Sequence, residues 1–331
     1  MSIAINKDKI YSIQNLRGAA ALMVCMYHMR GAQNFVPNSN PIKQATDFGY
    51  LGVQIFFVIS GFVIPWSLYN EGYRLKNFFS YLLKRIARIE PPYIISIILV
   101  LILNFLSTKS PIYAGLPFNF DLIQFFLHFL YLPNYLGYQW LQPVYYTLLI
   151  EFQFYIIIGL IFPLLIISKK TSLVYLIIAL AVGQYVLNWG LFGNISLFLV
   201  GIVYFKYRIN HINTIQFWLL ILLVMAFTFL NDPDKYITVS EFVAVIGIIY
   251  WNSGTAISQF LGKISYSLYL IHIPIGGRIM NLGQHYSHSI YLSYFLFLIA
   301  IVASIICASI FYQFVELPSI KLSKRVSKNF K

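Results

Sequence analysis

Residues 143–167 read PVYYTLLIEFQFYIIIGLIFPLLII. At ~1.5 Å per residue, a helix of this length crosses the ~30 Å hydrocarbon core of a bilayer. A single carboxylate, Glu151, interrupts the run. Similar stretches follow one another along the 331 residues: 10–29, 48–69, 87–107, 143–167, 172–189, 192–207, 214–231, 236–252, 263–282 and 289–315. Residues 121–132 (DLIQFFLHFLYL) are too short and too polar at their ends to join them, and read as an interfacial or re-entrant piece.

Composition agrees with this pattern. The chain is 59% hydrophobic and only 10% charged, against about 25% charged in an ordinary soluble domain. A mean hydropathy of +0.74 shows that the excess is not local. These values exclude a soluble globular enzyme, a disordered chain and a fibrous repeat. The expected fold class is an all-α polytopic membrane protein with about ten transmembrane helices, and its first partner is the lipid bilayer. The 26 Tyr, 29 Phe and 5 Trp suit helix interfaces and bilayer–water belts.

Charge sets the orientation. With ten spans and the N-terminus inside, the 23 Lys and Arg all fall on the cytoplasmic side except Arg30, Lys43, Lys109, Lys235 and Arg278. Cytoplasmic loops collect Lys and Arg, so both termini are expected in the cytoplasm. The same bias accounts for the net charge of +13. No basic patch coincides with a soluble domain, so nucleic acid is not an expected partner. Lys7 and Lys9 precede the first apolar stretch, but no small-residue cleavage site follows it, so it reads as a permanent helix. The chain reads as one membrane domain over 1–331, with a transmembrane core at 10–315 and a basic cytoplasmic tail at 316–331. Cys25 and Cys307 both lie in apolar runs and form neither a disulfide framework nor a zinc cluster.

Polar residues at membrane depth are costly, which makes each a candidate site. Arg17 and His28 are eleven residues apart, close to three helical turns, so they share a face ~16 Å apart along the axis. A snorkelling Arg and a satisfied interface His would look the same. In FFVISGF (56–62), Ser60 and Gly61 fit close helix packing better than the wall of a channel. In KRIARIEPPYI (84–94), Arg85 and Arg88 share a face where a helix is expected to begin, with the Pro pair at its start. They read either as a positive-inside anchor or as a phosphate clamp. Glu151 needs a cation or a proton at its depth. GKISYSLYLIHIP (262–274) brings Ser265, Tyr266, Ser267, Tyr269 and His272 into one helix. No dinucleotide fingerprint, phosphate-binding P-loop, zinc-protease motif or nucleophile elbow is present, and no metal is expected.

Six of these pieces, in order, resemble the acyltransferase 3 family of bacterial integral membrane proteins. They are LRGAAALMVCMYH (16–28), GVQIFFVISGF (52–62), RIARIEPPY (85–93), TLLIEFQFY (147–155), GKISYSLYLIH (262–272) and ELP (316–318). Gln54 and Tyr146 stand where the family often has Asp and Trp. The chain is most similar to short, single-domain members that O-acetylate O-antigen or another surface glycan. The resemblance implies a multi-pass protein of the bacterial inner membrane. It implies acyl-CoA, usually acetyl-CoA, as donor and a sugar hydroxyl of a lipid-linked glycan as acceptor. On that reading His28 is the catalytic base, with Glu151 orienting it or holding its charge, and a transient acyl-His is the other route. Arg17, Arg85 and Arg88 would meet the CoA, and Ser60, Tyr266, Ser267 and His272 would line the substrate path. A proton-coupled transporter or glycan flippase is the competing reading, and inverted repeats with paired broken helices would favour it.

Overall fold

The computed structural model describes residues 7–30, 41–111, 113, 115, 117–167, 183, 185, 189–283 and 290–328. The expected span at 172–189 lies almost wholly outside them. The principal helices are α1 (Lys7–Arg30), α2 (Leu51–Asn70), α3 (Phe78–Ser107), α4 (Leu122–Phe129), α5 (Tyr145–Ile167) and α6 (Ile195–Arg208). They continue with α7 (Thr214–Asn231), α8 (Tyr236–Tyr250), α9 (Ala256–His272), α10 (Ile290–Phe311) and α11 (Leu317–Lys328). A π-helical turn, Ile273–Gly277, carries α9 into a further helical stretch, Arg278–Gly283. A second, Tyr312–Glu316, joins α10 to α11. There is no strand among the described residues.

Five segments are long and apolar enough to cross a bilayer: Pro41–Asn70, Leu75–Ser107, Tyr145–Ile166, Thr214–Asn231 and Tyr291–Val326. Their outer faces carry the apolar side chains that lipid requires. α7 exposes Ile215, Leu219, Leu222 and Leu230, and α10 exposes Leu298, Val302, Ile306 and Ile310. In water such stripes would be aggregation surfaces; in acyl chains they are satisfied. The chain is therefore a multi-pass membrane protein.

Some expected spans differ in kind. α1 and α9 have the length but carry polar residues, among them Asn15, Arg17 and His28, and Ser265, Ser267 and His272. α6 has 14 residues and α8 has 15, which gives only ~21–23 Å of rise. All residues of α6 from Ile195 to Lys206 are buried. A helix apolar on every side belongs in a core. The third helix also departs from expectation: it starts at Phe78, and Pro91 and Pro92 lie inside it. Each proline removes one helical hydrogen bond, yet a membrane helix tolerates the loss when neighbours serve the freed backbone.

The chain divides into two compact units, one of Met1–Ala21, Tyr50–Leu82 and Leu149–Lys263, the other of Leu22–Gly49, Leu83–Leu148 and Ile264–Lys331. In the first, α2 packs against α6 and α8. Gly61 and Gly201 make the closest approach. A Cβ on Gly61 would overlap the Phe198 carbonyl, and one on Gly201 would overlap the Val58 carbonyl. Phe198 stacks between Phe57 and Phe154, at 4.9 and 4.3 Å between ring centroids. Gly18 of α1 meets the backbone of Gly262 in α9 in the same manner. Lys206 is fully buried and its ammonium donates to the carbonyl of Leu165, in the last turn of α5.

In the second unit, Asp121 caps α4 by accepting the Gln124 N–H at 2.9 Å. With eight residues, α4 rises only ~12 Å and cannot span, as its sequence suggested. His128 pins it. The Leu141 N–H donates to Nε2 at 3.1 Å, so Nδ1 carries the proton and donates to the Gln124 carbonyl at 2.7 Å. Burial lowers the imidazole pKa below its ordinary value, consistent with a neutral ring.

The α2–α6 crossing is testable. Gly61→Ala and Gly201→Ala each force backbone apart at a packed crossing and should cost about 1–3 kcal/mol. Ser60→Ala, one residue away, removes a single hydrogen bond and should cost about 1 kcal/mol. Thermal unfolding of the purified variants, followed by fluorescence-detected gel filtration, should rank both glycine variants well below Ser60→Ala. Unfolding temperatures equal to the parent's would show that the backbones do not touch there.

Candidate functional site

The first unit holds Arg17, Ser60 and Glu151. Arg17 is half-buried on α1. Ser60 Oγ donates to Glu151 Oε1 at 3.0 Å, and the Tyr155 hydroxyl donates to the same oxygen. Tyr155 lies one turn further along α5, so it reaches Glu151 on the same face. Two hydroxyl donors thus serve the carboxylate within the apolar stretch that first drew attention to it. Gln153, on another face of α5, accepts the Leu191 N–H at 2.9 Å. It thereby satisfies the start of the short helix Gly190–Gly193.

The second unit holds the histidines. α1 carries His28, half-buried, and α9 carries His272, fully buried. Their ring centroids lie 5.2 Å apart with the planes inclined by 44°. His272 Nδ1 meets the Leu268 carbonyl at 2.9 Å. A carbonyl only accepts, so Nδ1 carries the proton and Nε2 keeps a lone pair. That Nε2 is buried with no hydrogen-bond partner among the described residues. Leaving a buried acceptor unmet costs about 1–3 kcal/mol. Tyr269, whose ring is 6.1 Å from His272, exchanges a hydrogen bond with Thr147 Oγ1 at 2.6 Å. On the other side of His28, Arg30 pairs with Asp47, and its guanidinium carbon sits 4.1 Å from the Tyr27 ring centroid.

The π-helical turn begins immediately after His272. Pro274 has no N–H for the Leu270 carbonyl, which removes one rung of the helix. A Cβ on Gly276 would collide with Met29 Sδ and Ser304 Oγ, so this bent segment lies directly against the end of α1. Such turns occur mostly as single insertions and often at functional sites.

The other expected site residues of this unit are held as follows. Arg85 is 8% exposed and Arg88 half-buried, on one face of α3, with Arg88 one turn and Arg85 nearly two turns before the Pro pair. The Tyr266 hydroxyl donates to the Ile89 carbonyl at 2.9 Å, beside that pair. Ser267 is engaged by Glu316: its Oγ donates to Oε2 at 2.5 Å and its N–H to the same oxygen at 3.1 Å. Glu316 closes the second π-helical turn and is 3% exposed. Its ELP motif was legible in the sequence, but its partner was not.

Several pairings had weaker signals. Arg278 stands in the sequence only as one of the five basic residues outside the cytoplasmic set, and its guanidinium donates to Asn104 Oδ1 at 2.6 Å and to the Pro274 carbonyl at 2.8 Å. Glu90 accepts from the Tyr131 hydroxyl at 2.6 Å, and Tyr131 stacks on Tyr93 at 5.2 Å. In the first unit, Glu241 sits nearer a helix end in sequence but is fully buried and accepts from Thr228 Oγ1 at 2.9 Å.

Comparison with known proteins gives the class. The acyltransferase 3 profile, described as an acyltransferase domain, matches residues 10–313, and the chain belongs to that family. A protein of Staphylococcus aureus (strain COL) named "Putative O-acetyltransferase SACOL0978" is 25% identical over 377 residues, covering 93% of this chain and 57% of that protein. "Putative O-acetyltransferase SAS0844" of Staphylococcus aureus (strain MSSA476) is also 25% identical, over 374 residues, covering 92% of this chain and 56% of that protein. The chain thus spans little more than half the length of these relatives. No solved structure matches it.

Proposed function

We propose that the chain is an O-acyltransferase of the bacterial inner membrane. It moves an acetyl group from cytosolic acyl-CoA to a hydroxyl of a surface-glycan sugar held on a lipid carrier. Family membership over 10–313 supports the acyl transfer, and the names of the relatives support O-acetylation. The observation that carries the reading is the half-buried imidazole of His28, in the last turn of α1, in contact with a second, fully buried imidazole. An imidazole is the side chain suited to exchange a proton near neutral pH.

In the reaction, the sugar oxygen bonds to the acyl carbon as the carbon–sulfur bond breaks. His28 takes the hydroxyl proton and returns it to the departing thiolate, so protons balance. Arg85 and Arg88 face the cytosol in this reading and take the CoA phosphates with their guanidinium forks. Arg17 adds a further cation on the donor path. Glu151, held by Ser60 and Tyr155, positions its part of the first unit. Tyr266 lines the acceptor path and holds the α3 backbone at Ile89. About ten spans with both termini in the cytoplasm put the basic residues on the donor side.

Three measurements test this. His28→Ala should abolish transfer of labelled acetyl from acetyl-CoA to membrane-extracted lipid-linked glycans, a loss of about 10²–10⁴-fold, with its membrane level unchanged. Normal activity in that variant rejects the mechanism.

Arg85→Lys and Arg88→Lys keep the charge but lose the planar fork. Each should weaken acyl-CoA binding by about 1.5–3 kcal/mol, as a raised KM for acyl-CoA with the acceptor KM nearly unchanged. Parental KM values in both would make these arginines topological anchors.

Orientation is read with an impermeant thiol reagent in a variant lacking Cys25 and Cys307. Lys235→Cys should react from outside in intact cells, and Val326→Cys only after the membrane is opened. The reverse pattern inverts the topology.

A further inference from the structure

We infer that His272 is a positioning residue for His28, setting its tautomer and stabilising its protonated form through an imidazole–imidazole hydrogen bond. The inference rests on the acyl-transfer reading, since it assigns a partner to the base used there.

The argument starts with protons. The Leu268 carbonyl fixes the His272 proton on Nδ1. The lone pair is thereby left on Nε2, fully buried and without a partner among the described residues. The titratable groups around it are few. Tyr269 is turned to Thr147 and the Val144 carbonyl. Arg30 pairs with Asp47 through one terminal nitrogen and lies over the Tyr27 ring, while its Nε is buried without a partner among the described residues. Cys25, on α1, is buried and hydrogen-bonded to Ser304. The side chain in ring contact with His272 that can turn an N–H toward this lone pair is His28, whose ring lies 5.2 Å away between centroids. At that separation the ring edges come within hydrogen-bond reach once an N–H of His28 turns toward Nε2. Such bonds are often loose before substrate arrives.

The consequence for His28 follows directly. If one of its nitrogens donates to His272, its other nitrogen must hold a lone pair, which is the form that accepts a hydroxyl proton. Once that proton arrives, both nitrogens of His28 carry hydrogen and the ring is cationic. Its N–H to His272 becomes a charge-assisted bond. His272 stays neutral and gains no proton. This is the logic of a base oriented by a third group, with a neutral imidazole as the orienting acceptor. A residue needed only for packing at this place would be apolar. The π-helical turn that begins at Ile273 fixes the end of α9 where the ring must sit.

The test reads His28 itself, without needing the acceptor. Purified full-length protein in detergent is treated with diethyl pyrocarbonate, which acylates the unprotonated imidazole. Modification at His28 is followed across pH by peptide mass spectrometry in the parent, His272→Phe and His272→Gln. His272→Phe keeps the ring volume and removes the acceptor, so the His28 midpoint should fall by roughly one pH unit, a tenfold change in proton affinity. His272→Gln carries a carbonyl oxygen near the Nε2 position and should recover at least half of the shift. An unchanged midpoint in His272→Phe overturns the inference. An equal shift in both variants also overturns it, because the effect would then be packing. If His272→Phe fails to fold, His272→Asn replaces it, keeping a donor for Leu268 but no acceptor at Nε2. Labelled-acetyl transfer by the same preparations separates the two levels. Transfer that depends on His28 without the coupling rejects only this inference, whereas coupling without any transfer rejects the acyltransferase reading.

Discussion

Hydrocarbon offers no hydrogen bonds, so polar groups within this chain must be served by the chain itself. That constraint explains the pairing seen inside each unit. Ser60 and Tyr155 serve Glu151, Ser267 serves Glu316, and Asn104 serves Arg278. The buried Lys206 donates to the Leu165 carbonyl near the end of α5. The Nε2 of His272 is among the buried polar atoms left without a hydrogen-bond partner among the described residues, with Arg30 Nε and Glu241 Oε2, and it lies beside a second imidazole.

The second requirement is closeness. Helices in lipid gain little from excluding water, so association depends on backbone approach and side-chain fit. Gly61 against Phe198 and Gly201 against Val58 provide that approach for α2 and α6, and Gly18 against Gly262 provides it for α1 and α9. The short α6 can then be buried on all sides, held by stacked Phe57, Phe154 and Phe198.

Regular helical hydrogen bonding is interrupted where candidate site residues lie. In α3, which stays continuous, the Pro pair sits one turn after Arg88 and nearly two after Arg85, with Tyr266 bonded to the adjacent Ile89 carbonyl. One π-helical turn follows His272, and the other ends on Glu316. Each π-helical turn offsets a side chain from the regular 3.6-residue repeat. In a bundle of parallel rods, such offsets are a means of aiming one particular ring or carboxylate at a neighbour.

The sequence alone determined the solvent of this protein, because apolar runs such as 143–167 admit only lipid around them. It determined the helical fold class, the shortness of 121–132, and the alignment of Arg17 with His28, since all three follow from length and the helical period. The six ordered motifs carried the family. What the tertiary structure decided was pairing and depth. Pro91 and Pro92 looked like a helix start but lie inside α3, because neighbouring groups can serve a backbone that local rules would end. The run at 192–207 looked like a span, yet it forms a 14-residue buried core helix, because hydropathy reports apolarity and not whether lipid or protein supplies the contact. Ser267 was legible as polar and only the fold gave it to Glu316. The neighbour of His28 was equally hidden, because hydrogen-bond partners on different helices are chosen by how the helices cross, and no one-dimensional pattern encodes that crossing.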